Sequence, residues 1–256
     1  MKQFKNLLFL SLILLCWTLV SCKSSKTSSG WSLIWEENFN QKKSFDSQVW
    51  SKIPRGKSDW NNYMTDFDSC YAMRKGKLVL RGIANHTQRN DTAPYLTGGV
   101  YTKGKKAFTN GRIEICAKLN AAGGAWPAIW TLGSSAEWPL CGEIDILEYY
   151  QIKGAPHILA NAAWGTDERY VAKWNSKAIP FTHFTEKDAG WASKFHIWRM
   201  DWDEKAIKLY LDDELLNEIP LSSTVNGSLG NHTNPFMTPQ YVLLNLAVGG
   251  INGGPI

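Results

Sequence analysis

The sequence of 256 residues is sparing with the side chains that build metal and redox centres, holding five cysteines and five histidines. No C-x-x-C pair and no cluster of histidines occurs, so zinc and dithiol chemistry have no footing in it. Charge of one sign is not in marked excess: 28 Lys and Arg against 23 Asp and Glu leave +5. That is too mild to indicate a nucleic-acid partner or a strongly sulfated polymer. There is no repeat at a period of 20–50 residues, no long amphipathic helical pattern and no linker interrupting residues 31–256. Solenoids and helical bundles are thereby excluded, and residues 31–256 read as one domain.

A membrane-spanning segment is missing too. The apolar run "LLFLSLILLCWTLV" at 7–20 falls short of the roughly 20 residues that a spanning helix needs. Lys2 and Lys5 precede it, so it reads as a signal peptide over residues 1–21. The stretch "LVSC" ending at Cys22 resembles the bacterial lipobox, in which the cysteine is lipidated and becomes the mature N-terminus. The alternative is an ordinary signal peptide with an incidental cysteine. The polar "KSSKTSSG" that follows suits a flexible tether over 22–30. Loss of residues 1–21 removes two lysines and no acid, taking the charge from +5 to +3. The expectation is a protein of the bacterial cell envelope, anchored by lipid on Cys22 at the outer-membrane surface or the periplasmic face. With Cys16 gone and Cys22 lipidated, Cys70, Cys116 and Cys141 remain; they read mostly as buried small residues, with one disulfide left open.

What the chain does have is strand pattern. Candidates are "WSLIWEENF" from Trp31, "KLVLRGI" from Lys77, "GRIEICAKL" from Gly111, "PAIWTLG" from Pro127, "HILANAAWG" from His157, "FHIWRMDWD" from Phe195 and "YVLLNLAV" from Tyr241. "IKLYLDDELLNEI" reads as a hairpin turning at Asp212 and Asp213. Many short strands with Gly- and Asn-rich turns predict an all-β sandwich of two sheets. The chain stops at "LLNLAVGGINGGPI", just past a strand and a Gly-rich turn, and the expectation is that a closing strand is missing.

The chemistry concentrates in "CGEIDILEYY" at 141–150. In a strand Glu143 and Asp145 share one face and Ile144 and Ile146 the other. Strict alternation would then place Glu148 on the apolar face. One extra residue, a β-bulge near Ile146 and Leu147, returns Glu148 to the acidic face and sends Leu147 to the core. Three carboxylates on one strand face repel one another and cost stability unless something uses them. Glycoside hydrolysis does so with one carboxyl as nucleophile and another as general acid/base. A middle aspartate sharing a proton with the nucleophile would help split their pKa values. The bland alternatives are a solvated strand face or a cation site built from oxygen ligands, such as a structural calcium ion.

Thirteen tryptophans accompany the acids. Most can be core, yet Trp60, Trp138, Trp164 and Trp174 sit in polar, loop-like contexts where an indole face could stack on a pyranose.

With these segments in view, the chain resembles glycoside hydrolase family 16, in its laminarinase-like and mixed-linkage β-glucanase branch. The resemblance rests on Glu143-x-Asp145-x-x-Glu148 together with "FTNGRIEICAKL", "GGAWPAIWTLG", "FHIWRMDWDEKAIKLYLDD" and "LLNLAVGG". It implies a β-jelly-roll with a concave substrate cleft and a retaining endo-hydrolase of β-1,3- or mixed-linkage β-1,3-1,4-glucan. It implies Glu143 as nucleophile, Glu148 as acid/base and Asp145 as the residue that orients and tunes Glu143. Trp60, Asn62, Trp126, Trp130, Trp138 and Trp164 become candidate substrate contacts. No cofactor is required, and a monomer with a β-glucan as its partner is expected. The segment "AWGTDERYVAKWNSKAIPFTHF" departs from the His-Gly-rich stretch of many laminarinases, so the outlying subsites differ. Two alternatives accompany this reading: a galactan hydrolase of the same family, acting on agar- or carrageenan-type polymers, and a glycan-binding lipoprotein without catalysis.

Overall fold

A computed structural model describes residues 30–256 apart from 42 and 120. The leader, all but the last residue of the tether, and Cys22 lie outside the described residues. The strands are β1 (Ser51–Lys52), β2 (Tyr71–Met73), β3 (Leu78–Leu80), β4 (Gly82–Ala84), β5 (Tyr95–Thr97), β6 (Gly99–Tyr101), β7 (Gly111–Ala117) and β8 (Ala125–Gly133). They continue as β9 (Glu143–Ile152), β10 (Ala155–Gly165), β11 (Ala172–Pro180), β12 (His196–Trp202), β13 (Ala206–Leu211), β14 (Glu214–Pro220) and β15 (Gln240–Val248).

Two antiparallel sheets dominate. One has seven strands in the order β1-β6-β15-β8-β9-β10-β11; the other has four, in the order β14-β13-β12-β7. Their neighbours are often distant in sequence, as with β6 beside β15 and β7 beside β12, which gives the two-sheet sandwich that the strand pattern predicts, in the jelly-roll form that the resemblance implies. Two four-residue helices, Thr182–Thr185 and Gly250–Gly253, are the α-helices among the described residues. None of the described helices is long and apolar enough to cross a membrane.

The main core lies between the sheets. Along β12 the alternation is strict: His196, Trp198, Met200 and Trp202 are buried and the residues between them are less so. Trp198, Met200 and Trp202 meet Ile144, Ile146 and Tyr149 of β9 and Ile207 and Leu209 of β13 in one apolar cluster. On the outward side of the small sheet Arg112 forks onto Asp201 at 2.6 and 2.7 Å. The Arg199 guanidinium lies 4.0 Å from the Tyr210 ring centre on that sheet. A second cluster, with Ile53, Met64, Ala128, Trp130, Tyr241 and Leu243, lies on the opposite face of the large sheet.

The hairpin at Asp212 and Asp213 forms as expected, with both residues at positive φ (46° and 69°), as a tight two-residue turn demands. Two expectations are corrected. Residues 31–39 join no sheet, and Leu33 and Ile34 are 79% and 83% exposed; their apolar run lacks a neighbouring strand to pair with. Residues 172–180, which look loop-like because of their Lys, Asn and Ser, form the edge strand β11, where polar residues are the normal protection of an open edge. Of the cysteines, Cys70 and Cys141 are buried and free, whereas Cys116 stands exposed on β7 rather than buried.

Candidate active site

Strand β9 carries the acids, and its pairing shows how they reach one face. Across β8, Leu147 pairs with Ile129 and Asp145 with Trp130; across β10, Glu148 pairs with Leu159 and Asp145 with Asn161. Both neighbours advance one residue less than β9 does, so Ile146 and Leu147 together occupy one pleat. This is the predicted bulge. Ile144, Ile146, Leu147 and Tyr149 all point into the core, while Glu143, Asp145 and Glu148 lie opposite Leu132, Trp130 and Ala128 on the other face.

Both glutamates are held by named donors. The Trp138 indole N–H donates to Glu143 Oε2 at 2.7 Å. Trp126 Nε1 donates to Glu148 Oε1 at 3.0 Å, and Asn161 Nδ2 donates to Glu148 Oε2 at 2.9 Å. Asp145, 1% exposed, interacts with Glu143, and burial favours its protonated form, in which it can donate to that carboxylate. Its Oδ2 has no protein partner, and neither does Asn161 Oδ1.

Burial dominates the electrostatics. It pushes Glu143 up to about 8, helped by the charge of Glu148 and opposed by the hydrogen bonds from Trp138 and Asp145. It pushes Glu148 up to about 7 against the pull of Trp126 and Asn161. Asp145 lies well above the usual carboxylate range, first through burial and then through the charges of Glu148 and Glu143. Three carboxyls so placed titrate as one unit and retain at least one proton near neutrality. Double displacement at an anomeric carbon requires Glu143 ionised and Glu148 protonated, the reverse of the order in which burial ranks them, so the proton must pass from Glu143 to Glu148 within the coupled cluster before attack.

The tryptophans divide by position. Trp126 and Trp130 lie on the acidic face but are 8% and 7% exposed, with their N–H groups committed to Glu148 and to Asn245 Oδ1 (2.7 Å). Trp60 is half-buried and meets Trp130 edge-on at 4.9 Å. Asn62, also half-buried, has an Oδ1 with no partner among the described residues. Trp138 is half-buried against Glu143. Trp164 is corrected: it is 6% exposed and belongs to the core between the sheets. The cause is parity. Asn161 and Ala163 pair with Asp145 and Glu143 and share their face, so Ala162 and Trp164 must point the other way.

Asn161 was not singled out from the sequence, although its signal is present. It is the one amide in "ILANAAW", an otherwise apolar run on the strand that flanks the acids. Among the described residues no group of three or more His, Cys, Asp or Glu side chains is placed to hold a metal ion.

Residues 64–255 match the family Glycosyl hydrolases family 16. The chain belongs to that family. It is 28% identical over 284 residues to a keratan-sulfate endo-1,4-beta-galactosidase of Sphingobacterium multivorum, an alignment covering 97% of this chain and 62% of that protein. The chain thus spans under two thirds of that relative's length. LamA from Zobellia galactanivorans, solved with laminaritriose and laminaritetraose, shares 30% identity at a TM-score of 0.70, over 88% of this chain and 92% of that one. A structure solved for endo-acting O-glycanases with which human gut microbiota initiate mucin breakdown is also 30% identical, with a TM-score of 0.71 over 88% of this chain and 83% of the other. The family identification agrees with the resemblance carried by Glu143, Asp145 and Glu148.

Proposed function

We propose that this protein hydrolyses internal β-glycosidic bonds of a polysaccharide with retention of anomeric configuration. The observation that carries the proposal is the bulged strand with its three buried acids, the two glutamates held by specific indole and amide donors. Glu143, fixed by Trp138, attacks the anomeric carbon. Glu148 gives its proton to the leaving oxygen, and a glycosyl ester forms on Glu143. Glu148, now ionised, takes a proton from water, which attacks the same carbon and releases Glu143. Asp145 holds the Glu143 carboxylate by its proton and disperses charge as the ester forms and breaks. The reaction draws only on these side chains and water. A binding module has no use for two such glutamates, which weighs against a purely glycan-binding role.

For substrate, a β-1,3- or mixed-linkage β-1,3-1,4-glucan is supported by the likeness to a chain solved with laminari-oligosaccharides. A second reading, a β-galactoside polymer, is favoured by the likeness to a keratan-sulfate galactosidase across 97% of this chain and by the departing residues 163–184. The test is product analysis on laminarin, barley β-glucan, keratan sulfate, agarose and carrageenan, with the anomer of the first product read by proton NMR. Initial α-anomer would overturn the retaining mechanism, and the polymer that yields oligosaccharides decides the substrate. The envelope location extends the proposal: lipid on Cys22 would tether the domain. Cys22→Ala should then move the protein from the detergent to the aqueous phase in a two-phase extraction, and equal partitioning of both forms would refute the anchor.

A further inference from the structure

Beyond the acids the large sheet continues through β10 to the edge strand β11, and the register there is unambiguous. Glu143 pairs with Ala163, and Ala163 pairs with Trp174. These three residues form one row across three strands, so their side chains stand on the same face. The next row of that face is Asp145, Asn161 and Ser176. Contacts from behind confirm the parity: Asn175, adjacent to Trp174, accepts from Asn217 Nδ2 of the small sheet at 3.0 Å and therefore faces inward. Trp174 is 47% exposed, while the residue between it and Glu143 is an alanine with 0% exposure, too short to rise between them.

Two strand spacings put the Trp174 backbone roughly 10 Å from that of Glu143. At the other side of the acids, Trp60 packs on Trp130 of β8. A chain laid across the strands, over the acids, would thus meet an indole at each side. Trp126 and Trp130 have their N–H groups occupied and their rings buried, whereas Trp174 keeps a large part of its surface open. An exposed tryptophan at a sheet edge, flanked by a serine and continuous with a catalytic row, has the chemistry of a pyranose platform: a flat apolar face for the C–H side of the ring and a hydroxyl beside it.

We propose that Trp174 is a stacking platform for a sugar unit remote from the bond being cut, on the side of the cleft opposite Trp60, and that it selects for long chains. This rests on the reading of the acidic row as a glycosidase site. It locates the departure in residues 163–184 at one side chain, which sequence context alone leaves among loop-like tryptophans.

The test compares Trp174→Ala, Trp174→Phe and Lys177→Ala, the last an exposed lysine on the same strand whose position faces the other way. The readout is the ratio of kcat/KM on polymer to kcat/KM on a short aryl β-glycoside. Trp174→Ala should lower this ratio by about tenfold, the scale of one lost aromatic contact, with the loss in KM rather than kcat. Trp174→Phe should recover most of the ratio, and Lys177→Ala should leave it at the parent value. A ratio unchanged in Trp174→Ala, or a phenylalanine variant as poor as the alanine one, overturns the platform. Affinity electrophoresis in gels containing laminarin, barley β-glucan or keratan sulfate, with Glu143→Gln as background, separates this from the catalytic reading. Retardation that weakens on adding Trp174→Ala supports the platform even if hydrolysis is slow. Absence of retardation in all three gels refutes it, and persistence of hydrolysis in Glu143→Gln refutes the mechanism alone.

Discussion

Exchange of Glu143 for glutamine should stabilise the fold, and the gain should grow with pH. Glu143 is raised from 4.5 to about 8, chiefly by burial. Between those values the folded state binds a proton that the unfolded chain has already released, so stability falls as pH rises through this window. Below pH 4.5 both states are protonated and the penalty vanishes. The full shift bounds the effect at several kcal/mol, and because three carboxyls share it, about 1–3 kcal/mol is expected at pH 8. Glutamine cannot ionise, yet its carbonyl still accepts from Trp138 and its amide can face Asp145. For a chain of this size the gain corresponds to a rise in Tm of about 3–8 °C. The assay is thermal unfolding by tryptophan fluorescence at pH 4.5, 6 and 8, parent against variant. A Tm difference independent of pH, or a less stable variant at pH 8, would refute the reasoning. Glu148→Gln supplies an internal contrast. Both oxygens of Glu148 accept hydrogen bonds, from Trp126 and Asn161, so the amide nitrogen of glutamine must face one of those donors. Its gain should be smaller or absent.

Four further outcomes follow from the same geometry. Glu143→Gln should lower kcat by about 10⁴-fold or more in reducing-end assays, the scale of losing a nucleophile; activity within tenfold of the parent would defeat its assignment. The pH profile of kcat/KM should be a bell lying above the range where solvated carboxyls titrate, since the proposed mechanism needs one glutamate ionised and the other protonated and burial raises the whole cluster; an optimum near pH 4–5 would contradict this. Trp126→Phe removes a hydrogen bond that favours the Glu148 carboxylate, so the alkaline limb should move upward, and an unmoved limb would mean that Trp126 only packs. Cys70 and Cys141, their thiols pushed up to about 11 by burial, should resist maleimide at pH 8 in the folded protein and react once it is unfolded.

The parts of this molecule that the sequence makes legible are those decided by neighbours along the chain. The acid-bearing strand and its bulge follow from counting faces in "EIDILE", because three acids cannot be split between a core and a cleft without cost. The turn at Asp212 and Asp213 follows from the backbone that a two-residue hairpin needs. What is not legible depends on partners distant in sequence. Residues 31–39 carry a good strand pattern and find no strand to pair with. Strand β11 has a poor pattern, and it exists because β10 offers it nine paired positions from His157 to Gly165. Trp164 and Trp174 look alike in local context, yet the register of β10 buries one and leaves the other on the acidic face. Counting parity outward from Asn161, rather than reading local polarity, separates them.

The pleat shared by Ile146 and Leu147 also bears on how this strand can change in length. Excising one of the two would leave Glu143, Asp145 and Glu148 at alternate positions of a regular strand, still on a common face, at the expense of one apolar side chain in the core. Removing Ile144 instead would turn Glu143 into the apolar layer and end the chemistry. Between Glu143 and Glu148 the strand therefore contains a single joint at which a deletion preserves the reading frame of its side chains, set between Asp145 and Glu148. A chain with the shorter spacing would be reached through this joint in one step, without passing through a form in which either glutamate faces the core.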